Sequence, residues 1–127
     1  MKLRIQGNSI RFRLLRSEVT KFIEEGWIAE TVRFSGEKRA FFTYALRWEA
    51  GATHVEVRYE PSEATVILPE IEALAWAQTE QVGIYSAVNI GNYGDLVVTI
   101  EKDFACLDLS DAENQDTFPN PQLDAAC

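Results

Sequence analysis

Residues 9–32 read SIRFRLLRSEVTKFIEEGWIAETV, and the way this stretch divides decides the fold. Its first six residues alternate, with Ile10, Phe12 and Leu14 on one side and Arg11 and Arg13 on the other, the period of a half-buried strand. The period then changes. Val19, Phe22 and Ile23 fall on one helical face, Ser17 is an N-cap candidate, Glu18 suits the positive start of a helix, and Gly26 is a stop. A helix of about two turns is therefore expected near 18–25. WIAETV returns to β-type residues, so the stretch is strand, helix and strand with almost no connecting chain.

Residues 63–88, EATVILPEIEALAWAQTEQVGIYSAV, follow the same plan. Pro69 opens a second helix at a favoured first position, with Glu70 and Glu72 at its positive end. Ile71, Leu74 and Ala75 make its expected buried stripe, with Trp76 beside it. Residue identity between the two stretches is low, so the likeness is one of pattern, an internal β-α-β-β repeat. Around them, KLRIQ and SIRFRL flank Gly7-Asn8, a two-residue loop that suits a type II′ hairpin. AFFTYALRW sets Phe42, Tyr44, Leu46 and Trp48 on one face, THVEVRYE alternates cleanly, and QVGIYSAV and DLVVTIE close the domain. The order is β-β-α-β-β-β, then β-α-β-β. Short connections favour antiparallel neighbours, and two short helices cannot cover both faces of a large sheet. The expected fold is α+β: a mostly antiparallel, strongly curled or barrel-like sheet of about seven or eight strands with two short helices.

The 127 residues suit a single domain over 1–127, with 103–127 an acidic C-terminal segment that is packed on it or partly mobile. No apolar run approaches the roughly 18 residues of a membrane span. The N-terminus alternates where a signal peptide would be continuously apolar, and two cysteines make no disulfide framework, so a cytoplasmic protein is expected. Net charge is −8 and uneven: residues 1–60 hold 11 Lys/Arg and 8 Asp/Glu, whereas residues 61–127 hold 1 and 12. An acidic whole argues against nucleic acid, whose binding rests largely on phosphate neutralisation.

The charge pattern singles out one candidate site. A loop at Gly7-Asn8 sets Lys2 opposite Arg13 and Arg4 opposite Arg11, all four on one face of the hairpin. Like charges directly opposite are destabilising, so something should compensate them. Glu30, Glu56 and Glu60, pointing outward from other strands, are the expected counter-charges. An anionic ligand held by Lys2, Arg4, Arg11 and Arg13 is the alternative.

Other chemistry is poorly supplied. Cys106 and Cys127 lie far apart, His54 is the lone histidine, and Asp108, Asp111, Glu113 and Asp116 lack the spacing and central glycine of a calcium loop. Neither a metal nor another cofactor is expected. Cys106, between Phe104 and Leu107, reads as a small buried hydrophobe. Catalytic triads and phosphate-binding glycine loops have no material. A small barrel lined with Arg, Lys and Glu resembles the triphosphate-tunnel enzymes, but those carry alternating glutamates in the first strand where this chain has Lys-Leu-Arg-Ile-Gln.

The stretches GNSIRFRLLRSEV (7–19), WAQTEQVGI (76–84) and EKDFACLDLSDAENQDTFPNP (101–121) together resemble a family of short uncharacterised bacterial proteins. The resemblance implies a bacterial cytoplasmic protein standing alone, with no activity or catalytic residue to carry over. The function expected is that of a small non-catalytic binding or protein-interaction domain. The alternative is an anion- or phosphate-binding protein, or a phosphoryl-processing enzyme, using the basic hairpin. Partners would be a protein or a small anionic ligand, and a homodimer through DLVVTIE as an edge strand is one assembly the pattern allows.

Overall fold

The computed structural model describes residues 1–105 and 115–120. Ten main elements follow one another: β1 (Lys2–Gln6), β2 (Ser9–Leu14), α1 (Arg16–Glu25), β3 (Trp27–Arg33), β4 (Phe41–Glu49), β5 (Glu56–Glu60), β6 (Glu63–Pro69), α2 (Glu70–Gln78), β7 (Gly83–Asn89) and β8 (Asp95–Lys102). The order matches the expectation. The α+β class also holds and antiparallel pairs dominate, but the single strongly curled sheet does not. The described strands form two four-stranded sheets, β1-β2-β8-β7 and β3-β4-β6-β5, and neither closes into a barrel. The outer pairs in each sheet are antiparallel hairpins, but the central pairs, β2 with β8 and β4 with β6, are parallel.

The reason lies in what the helices connect. α1 carries the chain from β2 in one sheet to β3 in the other, and α2 carries it back from β6 to β7. A parallel neighbour needs a long crossover; here β2 receives its neighbour only after the whole second sheet has been made. For the same reason β8 lies between β2 and β7. DLVVTIE is thus an interior strand, which closes that route to a dimer; the edges belong to β1, β7, β3 and β5.

The repeat holds in register for the β1–β2 and β5–β6 hairpins and for both parallel pairs, and slips by two residues between β3–β4 and β7–β8. Ser9 pairs with Val97, and Thr43 with Glu63; the step from 9 to 63 equals that from 43 to 97, 54 residues. The same step carries the pair Lys2–Arg13 onto Glu56–Ile67. It also carries the buried Phe12, Leu14, Val19 and Phe22 onto Val66, Leu68, Ala73 and Trp76, which are buried in turn. The core therefore has two equivalent halves that meet at Phe22 and Trp76, whose rings cross edge-on with centroids 6.4 Å apart. Between the sheets, Phe12 meets Tyr44 at 5.9 Å.

This symmetry corrects the expected face of α2. Ala73 and Trp76 are buried, while Ile71 is 83% exposed. Apolar residues run all round this helix, so its sequence carries no phase; Pro69 and the equivalence with α1 set it. On α1, Val19 and Phe22 are buried and Ile23 packs against them, with Leu46 and Tyr44 in the same cluster. Gly26 ends the helix at φ 85°, its N–H donating to Phe22 O at 2.9 Å.

The start of α1 is built differently from expectation. Leu15, not Ser17, is the N-cap, and the free N–H groups of the first turn find acceptors elsewhere. Glu18 accepts from Leu15 N at 2.8 Å. Asp116, from far along the chain, accepts from Ser17 N through Oδ1 at 3.0 Å, from the Ser17 hydroxyl through Oδ2, and from Arg16 N through its backbone oxygen at 2.8 Å. Residues 115–120 thus dock as a strap. Phe118 exchanges backbone hydrogen bonds with Asp103 and Ala105 and lies under Arg16 and Lys102, 5.7 and 5.3 Å from its centroid. Cys106, Leu107, Asp108, Asp111, Glu113 and Cys127 fall outside the described residues.

Candidate functional site

The hairpin register is as read from the sequence: Lys2 faces Arg13 and Arg4 faces Arg11. Gly7 has φ 55° and Asn8 is not in the left-handed region, the pattern of a type II′ rather than a type I′ turn. Leu3, Ile10, Phe12 and Leu14 turn to the core, which leaves the four cations on the outer face of the first sheet. Parallel pairing brings β8 beside them, with Thr99 next to Arg11 and Glu101 next to Arg13.

The counter-charges are not the expected ones. Glu30, Glu56 and Glu60 belong to the other sheet. Lys2 Nζ instead lies 2.9 Å from Asp103 Oδ2, and Arg11 Nη1 lies 3.8 Å from Glu101 Oε1. Glu101 is shared, because Tyr85 donates its phenolic proton to Oε2 at 3.0 Å. That contact, after desolvation, raises the Tyr85 pKa above its ordinary value. Arg4 donates to Gln6 Oε1 at 3.1 Å, and Arg13 has no ionic partner among the described residues. Two carboxylates thus face four cations, and the Nε of Arg11 is buried without an acceptor. A shallow groove of about 180 Å³ runs here, lined by Arg4, Gln6, Ser9, Arg11, Val97 and Thr99. Its donors are guanidinium, amide and hydroxyl groups, which suit an oxyanion.

The 54-residue step provides an internal comparison. It carries Lys2, Arg4, Arg11 and Arg13 onto Glu56, Arg58, Thr65 and Ile67 of the second sheet. There Arg58 is already held by Glu49 at 3.2 Å and by Glu56 at 3.4 Å. That face also has a depression, about 330 Å³ between Trp27, Ala29, Ala45, Arg47, Glu63 and Thr65, but it is mixed in charge. The unbalanced cationic face belongs to one half only.

Glu30 has another role. With Glu18 it faces the Met1 amino group, 3.0 Å from Glu30 Oε2. The Tyr44 hydroxyl lies 3.0 Å from both Glu30 Oε2 and the Met1 carbonyl. Burial, then the hydrogen bond and charge of Glu30, then the charge of Glu18 push the Tyr44 pKa up to about 12.

Sequence reasoning missed Lys102. It is buried, donates from Nζ to Thr79 O at 2.6 Å at the end of α2, and borders a cavity of about 450 Å³. Burial lowers its pKa, against the opposing charge of Glu80. A signal existed: Lys102 is the single Lys/Arg in residues 61–127. Its repeat counterpart, Trp48, does the same work on α1, donating from Nε1 to Phe22 O at 3.0 Å. Among the described residues, no three His, Cys, Asp or Glu side chains come together as metal ligands, and no helix is long and apolar enough to cross a membrane.

Comparison with known proteins gives a family without an assigned activity. Residues 1–122 match the model of a family of unknown function, DUF7009, and the chain belongs to that family. No curated protein and no solved structure matches it.

Proposed function

We propose that this DUF7009 member is a non-catalytic binding domain whose ligand is a small oxyanion, seated on the outer face of the first sheet by Arg4 and Arg11, with Arg13 and Lys2 beside them. The observation that carries the reading is the charge imbalance around a buried, unpartnered donor, Arg11 Nε. A buried donor without an acceptor costs about 1–3 kcal/mol; an anionic oxygen in the groove would meet the accessible guanidinium nitrogens of Arg11 and Arg4 and offset the unbalanced charge around it. Arg4 and Arg11 face each other across the hairpin and could each offer a two-pronged donor set. Binding is favoured over catalysis because the groove's donors, guanidinium, amide and hydroxyl, hold an oxyanion but exchange no proton at neutral pH.

Thermal unfolding with phosphate, sulfate, nucleotides and small carboxylates tests this. A ligand at a hundred times its dissociation constant should add about 2.7 kcal/mol. The double variant Arg4→Ala, Arg11→Ala should lose that gain, while Arg58→Ala on the opposite sheet keeps it. Equal anion stabilisation in wild type and double variant would move the site elsewhere.

A further inference from the structure

The cavity beside Lys102 is independent of the cationic face. Its volume, about 450 Å³, lies within the range of small-molecule sites, roughly 300–1,000 Å³. Val82, Phe104, Phe118 and Pro119 give it apolar walls, and the strap supplies one side of it. Lys102 has three donor protons, of which Thr79 O takes one. The ammonium also rests over the face of Phe118, an attraction that offers no lone pair. The described residues provide no second hydrogen-bond acceptor for Nζ. A pocket with an apolar side at Val82, Phe104, Phe118 and Pro119, and an ammonium with a single acceptor among the described residues, calls for a ligand with an apolar body and a single acidic end. A phosphate dianion fits poorly, because Lys102 is the one cation lining the chamber and Glu80 lies on its wall.

We propose that this cavity is a second ligand site, which takes a small amphipathic carboxylate: the carboxylate on the Lys102 ammonium, the apolar body between Phe104 and Phe118. Trp76 reports on it, since its indole N–H donates to Val82 O at 3.1 Å and Val82 lines the wall.

The probes are phenylacetate and its neutral amide, phenylacetamide, titrated into the intact protein while the Trp76 indole N–H resonance is followed. Phenylacetate should shift that resonance saturably and bind about ten to a hundred times more tightly than the amide, the usual margin of a charge-assisted hydrogen bond. Lys102→Met should abolish the margin. Glu80→Gln, an exposed change just beyond the end of α2, should tighten the acid but not the amide, and serves if Lys102→Met does not fold. Arg4→Ala with Arg11→Ala should leave phenylacetate binding unchanged, so this site and the cationic face fail separately. Equal affinity for acid and amide, an unmoved Trp76 resonance at saturation, or a margin that survives Lys102→Met overturns the assignment.

Discussion

Asp116→Ala removes an acceptor that reaches the first turn of α1 from the other end of the chain. Three interactions converge on this residue: Ser17 N and the Ser17 hydroxyl on its carboxylate, and Arg16 N on its backbone oxygen. Losing a side-chain cap costs about 0.5–2 kcal/mol, and losing a negative charge at a helix start about 0.3–1 kcal/mol. Asp116 also sits at φ 64°, where alanine loses the local hydrogen bonding that lets Asp and Asn tolerate the left-handed region. The sum for alanine is about 1–3 kcal/mol. Asparagine keeps the acceptor and the backbone tolerance, so it should cost only about 0.3–1 kcal/mol. Glycine loses the cap but relieves the backbone, and should fall between the two. Urea unfolding followed by tryptophan fluorescence gives the order, with midpoints falling from Asp to Asn to Gly to Ala at constant slope. An alanine variant within about 0.3 kcal/mol of wild type would refute the docked strap as the cap of α1.

Two further perturbations carry signs. The Tyr44 pKa of about 12 stands above its ordinary value near 10. Its contribution is therefore complete below pH 10 and lost as pH rises through 12, at most about 2.7 kcal/mol; subtracting the alkaline stability curve of Tyr44→Phe from that of wild type isolates this fall, and a flat difference would contradict the raised pKa that burial and Glu30 give Tyr44. Ser62, at φ 70° in the Pro61-Ser62 turn, occupies a position that glycine takes without strain, so Ser62→Gly should raise stability by about 0.5–1 kcal/mol in the same urea assay.

Element order, both helices and the β1–β2 register were legible because each rests on local chemistry: alternation in SIRFRL, Gly7 in a short turn, Pro69 and Gly26 as punctuation. Sheet partnership was not. Whether Phe12 lies beside Ile100 depends on a crossover through the whole second sheet, and nothing near either residue encodes it. α2 shows a related limit, since Ile71, Leu74 and Ala75 look as buried as Ala73 until α1 supplies the phase. For the candidate site, Lys2, Arg4, Arg11 and Arg13 were legible as one face, but Asp103 and Glu101 as their counter-charges were not, because strand order decides which acids stand nearby. The cap from Asp116 was hidden for the same reason: an N-cap pattern looks one to four residues away, and this acceptor comes from beyond β8.

The exchange of hairpins between the two sheets sets a timetable for synthesis. β2 is complete at Leu14, but its parallel partner begins at Asp95, and at about 5–20 residues per second the ribosome needs roughly 4–16 s to travel between them. Through that interval the backbone of β2 has an open edge, although the second sheet that its apolar face packs on, Tyr44 included, has already been made. The second sheet can assemble earlier, since β3 to β6 leave the ribosome consecutively. The first sheet must be the last to form, and a chaperone or a neighbouring nascent chain would meet the molecule there.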